Sequence, residues 1–191
     1  MRNHFHLVVE TPKANLVEGM KWLLGTYTSR FNRRHRLFGH LFSGRYKALF
    51  VDGSGNGYLK SVCDYVHLNP ARAKLLSRKQ KLSEFRWSSY PDYLQAAARR
   101  PGWLRVDRLL GEHGIPQDSA AGREQFEQRM EYRRASEDGA EFKPIQRGWL
   151  LGRAVVCKRV PQINTAPLFG QVCPRARKRG RGRLVGFVLP A

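Results

Sequence analysis

Within its first 31 residues the chain changes from a strand pattern to a helical one, and no other feature constrains the fold as much. Phe5-His6-Leu7-Val8-Val9-Glu10 has strand composition and stops at Thr11-Pro12. Leu16, Met20, Leu23, Tyr27 and Phe31 then recur at helical spacing. Asn15 stands where a cap is needed, and Glu18, three residues on, completes a capping-box-like start. Leu41 to Val51 reads as a second strand or hairpin arm, with Gly44 as a bulge or a point of close backbone approach. Asp52 to Gly57 is a loop by composition, and no Gly-Lys-Ser/Thr follows to make it a phosphate-cradling one.

Tyr58 to Asn69 reads as a helix with Tyr58, Val62, Tyr65 and Asn69 on one face. Pro70 disfavours helical geometry at Asn69, so a break or bend is expected there. A further short helix is expected to start within 71–76. Residues 96–102 look like a linker, and Arg105 to His113 and Gly122 to Arg134 are expected short helices, the second charged nearly all round. Beyond Arg153 the pattern dissolves. Residues 175–191 carry Arg175, Arg177, Lys178, Arg179, Arg181 and Arg183 with no acid, which reads as a disordered tail that attracts nucleic acid.

Charge narrows the partner. Lys and Arg number 35 against 15 Asp and Glu, a formal net charge of +20, so a polyanion is the expected partner. Arg30, Arg33, Arg34, His35 and Arg36 crowd the end of the first helix. Basic residues there suit the helix dipole, but five exceed what capping requires, so phosphate contacts at Arg30, Arg33 and Arg34 are the second reading. Arg45 and Lys47 flank Tyr46 on the second strand, facing either DNA or a solvated edge. Cys63, Cys157 and Cys173 form no Cys-x-x-Cys pair, so neither a zinc ribbon nor a disulfide framework is indicated, and a reducing cytoplasm fits. No apolar stretch is long enough to span a membrane.

Two short segments carry chemistry. His4 and His6 sit at i and i+2, so on a strand they project together while Phe5 points away. Tyr65 and Asn69, in Tyr65-Val66-His67-Leu68-Asn69-Pro70, sit at i and i+4 and share a helix face. Two imidazoles, an amide and a phenol can together make a metal site with a nucleophile beside it. His67 lies off that face and is expected to be structural or a phosphate contact rather than a ligand.

Both segments resemble those of the HUH single-tyrosine transposases, specifically the REP-associated tyrosine transposases. Gly25-Thr26-Tyr27-Thr28-Ser29-Arg30-Phe31-Asn32-Arg33-Arg34-His35, Gly39-His40-Leu41-Phe42-Ser43-Gly44-Arg45-Tyr46-Lys47-Ala48 and Trp87-Ser88-Ser89-Tyr90 look like the same family. The similarity runs over roughly residues 1–95 and continues weakly to about 152. It implies His4, His6 and Asn69 as ligands of magnesium or manganese and Tyr65 as the nucleophile. It also implies an α+β domain with an antiparallel sheet and packed helices, ferredoxin-like. Family members carry a strand and a helix before the histidine motif, whereas here the motif opens the chain. A truncated sheet with an exposed edge is therefore expected.

The expected organisation is a catalytic domain over 1–95, a small helical extension over 96–152 and a basic, disordered tail over 153–191. The expected activity is metal-dependent cleavage and rejoining of single-stranded DNA through a 5′-phosphotyrosine, in DNA transposition. The partner would be single-stranded or hairpin DNA and the protein a monomer or homodimer. The rivals are a catalytically inactive DNA-binding remnant, an RNA-binding or ribosome-associated basic protein, and a zinc-dependent hydrolase. The last is disfavoured because no carboxylate neighbours the histidine pair to act as a base.

Overall fold

The computed structural model describes residues 4–13, 15–42, 46–53, 57–77, 79–136 and 142, together with the backbone of 150–151 and 183–188. It mixes helix and strand and divides into two compact units, one of residues 2–54 with 149–191 and one of residues 55–148. These units cut across the expected 1–95, 96–152 and 153–191 division.

In the sheet unit, β1 (His6–Thr11) leads through Pro12 into α1 (Leu16–His35), and β2 (Lys47–Val51) follows. Met20 is the buried centre of this unit at 3% exposure. Leu7 and Val9 from β1, Tyr46, Ala48 and Phe50 around β2, and Leu16, Leu23 and Leu24 from α1 pack against it. Leu7 and Val9 are alternate residues, so one face of β1 meets the helix and His6, Val8 and Glu10 belong to the other. Tyr27 stacks on Phe31 and approaches Phe42, which also meets Phe5.

The start of α1 departs from expectation. Asn15 makes no side-chain cap bond, and the first turn closes through its carbonyl, which accepts from the Gly19 N–H. At the other end Arg36 takes a left-handed conformation, φ 55°, and both its own N–H and that of Leu37 reach the Asn32 carbonyl. The Asn32 amide donates to the Gly39 carbonyl at 2.9 Å and pins the exit loop. The Gly44 expectation lies outside the described residues.

Two strands come from the far end of the chain, β3 (Leu150–Leu151) and β4 (Arg183–Val188). The order is β1-β4-β2-β3, with β4 antiparallel to both β1 and β2 and β3 parallel to β2. His6 pairs with Val188 and Thr11 with Arg183, while Lys47 pairs with Val188 and Val51 with Leu184. This corrects the expectation of a disordered tail for residues 183–188. The reason is local: Leu184-Val185-Gly186-Phe187-Val188 is an apolar run with strand propensity, and the cationic count around it obscured that. The rest of the tail, 153–182, lies outside the described residues.

The helical unit is built on α2 (Tyr58–Arg72), which buries Leu59, Val62, Cys63, Asp64, Tyr65, His67, Leu68, Asn69 and Pro70. The helix does not end at Asn69. Pro70 lies inside it, and the chain leaves through bonds from Ala73 N–H to the Asn69 carbonyl and Leu75 N–H to the Pro70 carbonyl. Pro70 lacks the N–H that would bond the Val66 carbonyl and its ring crowds that carbonyl, yet the helical turn continues to Arg72.

After a 3₁₀ turn at Leu82–Glu84 come α3 (Tyr90–Leu94), α4 (Val106–Glu112) and α5 (Ala120–Ser136). Charged as it is, α5 buries Phe126 and Met130, spaced i and i+4, at 0% exposure. The stretch expected to be a linker is pinned: Arg100 donates to the Gln95 carbonyl and forms a two-pronged pair with Asp118 at 2.6 and 2.8 Å.

Candidate active site

β1 supplies the imidazoles. The ring centroids of His4 and His6 lie 5.1 Å apart, edge to face. The two rings thus keep company, as i, i+2 spacing on an extended chain requires, while the intervening Phe5 ring meets Phe42. Burial holds His4 below the ordinary imidazole pKa. A neutral imidazole is the form that binds a metal.

Tyr65 and Asn69 lie one turn apart on α2 at 9% and 8% exposure. Asn69 Nδ2 is buried with no hydrogen-bond partner among the described residues. The two adjacent imidazoles are neutral nitrogen ligands of the kind a divalent ion takes. Among the described residues no three His, Cys, Asp or Glu side chains converge on one point. His4 and His6 belong to the sheet unit, Tyr65 and Asn69 to the helical one, and each pair is described within its own unit.

The phenol ring of Tyr65 is enclosed. Phe142 meets it edge-on, centroids 5.6 Å apart, and the Arg72 guanidinium lies 4.1 Å from its centroid. The same guanidinium donates to the Tyr65 backbone carbonyl.

Beside Tyr65, Asp64 is fully buried and anchors a polar cluster. Its Oδ1 meets His113 Nε2 at 3.0 Å, and its Oδ2 accepts from Lys60 and Arg133 at 2.8 Å each. Arg129 donates to the His113 carbonyl. Burial alone would raise the Asp64 pKa, but the hydrogen bond and charge of His113, then those of Lys60, outweigh it and hold the carboxyl below its usual range. Sequence reasoning missed this cluster, as it missed Arg72 and Phe142. The i, i+4 Lys60–Asp64 pair was visible in the sequence, whereas His113 and Arg133 lie 49 and 69 residues from Asp64.

The basic residues divide. Arg30, Arg33 and Arg34 are exposed on α1, and Lys47 is exposed at the start of β2, all open to a phosphate. Arg45 lies outside the described residues. His67 is corrected: at 5% exposure it sits among the rings of Tyr90, Tyr93 and Phe126 and cannot touch a nucleic acid without leaving the core. Burial, reinforced by His113 and opposed by Asp64, pushes its pKa down to about 4. Its Nδ1 has no hydrogen-bond partner among the described residues.

No known family's sequence profile matches the chain, and neither the curated proteins nor the solved structures include one significantly similar to it.

Proposed function

We propose that this protein is a metal-dependent single-strand DNA transesterase of the HUH single-tyrosine kind, acting in DNA transposition on single-stranded or hairpin DNA. The observation that carries the reading is the side-by-side pair of imidazoles at His4 and His6. Asn69, one turn from the Tyr65 phenol on the same helix, supports it. In this reading His4, His6 and Asn69 hold magnesium or manganese, which supplies charge neutralisation at the scissile phosphate. The catalytic unit is ferredoxin-like, as in the family the motifs resemble, and works in the cytoplasm.

Tyr65 Oη gives its proton to solvent base and forms a bond to phosphorus. The P–O3′ bond breaks, and the leaving oxygen takes a proton from water. The DNA 5′ end stays on Tyr65, and another 3′ hydroxyl can reverse the step without an energy source. Arg30, Arg33, Arg34 and Lys47 contribute phosphate contacts, which fix position rather than sequence. Among the described residues no helix is long and apolar enough to cross a membrane.

One observation favours the second reading, a DNA-binding protein without activity: Tyr65 is enclosed by Arg72 and Phe142 rather than presented to solvent. The two separate on labelled single-stranded DNA incubated with the protein, with and without manganese. A denaturant-resistant adduct that needs the metal supports the transesterase. Retarded DNA with no adduct in either condition leaves the binding protein.

A further inference from the structure

We infer that Arg72 is the positioning residue of Tyr65, holding the phenol ring in the orientation from which it attacks. The inference rests on the reading of Tyr65 as nucleophile and adds a residue to it. Arg72 follows Tyr65 by seven positions, two turns on, so both occupy one face of α2. Helical side chains lean toward the N-terminus, which carries the guanidinium back over the ring. There it is fixed at two points. It stacks 4.1 Å from the Tyr65 centroid and donates to the Tyr65 carbonyl.

The other side of this guanidinium is also engaged. Its carbon lies 4.7 Å from the Phe142 centroid, and the Phe142 ring in turn meets Tyr65 edge-on. Phe142 is fully buried, and Arg133, which binds Asp64, lies 5.8 Å from its centroid. The ring of Tyr65 is therefore bounded by a cation and an aromatic edge. A phenol so held loses little rotational freedom on attack, which is the advantage of a pre-oriented nucleophile.

The cation matters as well as the shape. As the Oη proton leaves, negative charge spreads into the ring, and the attraction of a cation on the ring face grows. A guanidinium suits this place better than an ammonium, because a flat cation both stacks and donates sideways to a carbonyl.

The experiment uses the full chain with Arg72→Met and Arg72→Lys, read in two ways. In protein labelled at tyrosine, the Tyr65 ring signal, assigned by its loss in Tyr65→Phe, is expected to shift and broaden in Arg72→Met. In adduct formation with manganese and labelled DNA, Arg72→Met is expected to slow the rate at saturating DNA by about tenfold, the scale of a desolvated cation–π contact. The DNA concentration for half-saturation should stay within about twofold, since Arg72 acts on the ring and not on the DNA. Added guanidinium ion at low concentration should restore part of the Arg72→Met rate, and Arg72→Lys should fall between the two. An unchanged ring signal overturns the inference whatever the activity. A changed signal with an unchanged saturating rate, or a loss that appears only as weaker DNA binding, also overturns it. If the parent chain forms no adduct, the transesterase reading fails and the positioning role with it, while the ring signal still decides the contact.

Discussion

His67 shows how far one side chain's surroundings set its chemistry. A histidine in a basic sequence invites a phosphate, yet this one lies among Tyr90, Tyr93 and Phe126 with its pKa pushed down to about 4. The unfolded chain takes up the proton near the ordinary value of 6.5, the folded one only near 4. Stability from neutral His67 is therefore fully present above about pH 6.5 and is lost progressively as pH falls toward about 4. At about 1.4 kcal/mol per pH unit, about 2 kcal/mol should go between pH 7 and pH 5. Denaturant unfolding at the two pH values should show that loss in the parent chain and a distinctly smaller one in His67→Phe. Equal losses in both would mean that another group governs the acid response. Asp64 works in a more acid window. Its folded pKa is held low, so its contribution is present above the ordinary carboxylate range and lost only as pH falls through the depressed value.

At the scale of elements, Asp64 joins α2 to α5 through Arg133 and to His113, the residue that closes α4. Asp64→Asn leaves Lys60 and Arg133 facing a neutral group and should cost about 3–5 kcal/mol of unfolding free energy, the usual result of breaking a buried ion cluster. Gly122 offers a sharper test of packing. A Cβ there would lie 2.8 Å from both the Gln117 carbonyl oxygen and an Ile115 methyl. Gly122→Ala should thus destabilise by about 1–3 kcal/mol despite the better helix propensity of alanine. A stability gain in the same unfolding measurement would show that the α4–α5 connection yields freely.

The regular elements were legible because their signals are local. The Leu16–Phe31 stripe specified α1, the run from Phe5 specified β1, and Tyr65 and Asn69 fell on one buried face as their spacing requires. The capping-box reading failed at Asn15 because its backbone, φ −117° and ψ 21°, is not in the extended conformation from which a side chain caps. No break comes at Pro70, since α2 runs on through it to Arg72. The Asp64 cluster and the Arg72–Phe142 enclosure were illegible because partners far apart in sequence leave no periodic trace.

At the scale of the molecule, the main surprise is where the sheet finds its middle strand. β4 lies between β1 and β2 and is antiparallel to both, so the strand that carries His6 is joined to β2 through residues 183–188. Counting cations in 175–191 pointed to a tail that merely adds affinity. The pairing points to a structural role for residues 183–188. Deletion of residues 183–191 should leave β1 and β2 each with an unsatisfied edge and lower the unfolding midpoint of the sheet unit, read by hydrogen exchange at residues 6–11. Unchanged protection there would mean that β1 holds its place without β4.

The central claim is that Tyr65, and no other residue, takes the DNA. Protein incubated with single-stranded DNA and manganese is denatured and digested, and the nucleotide-bearing peptide is identified by mass spectrometry. The DNA should be found on the peptide containing Tyr65, and Tyr65→Phe should abolish the adduct while leaving DNA binding nearly intact. An adduct mapped to Tyr58 or Tyr46, or one that persists in Tyr65→Phe, would contradict the account.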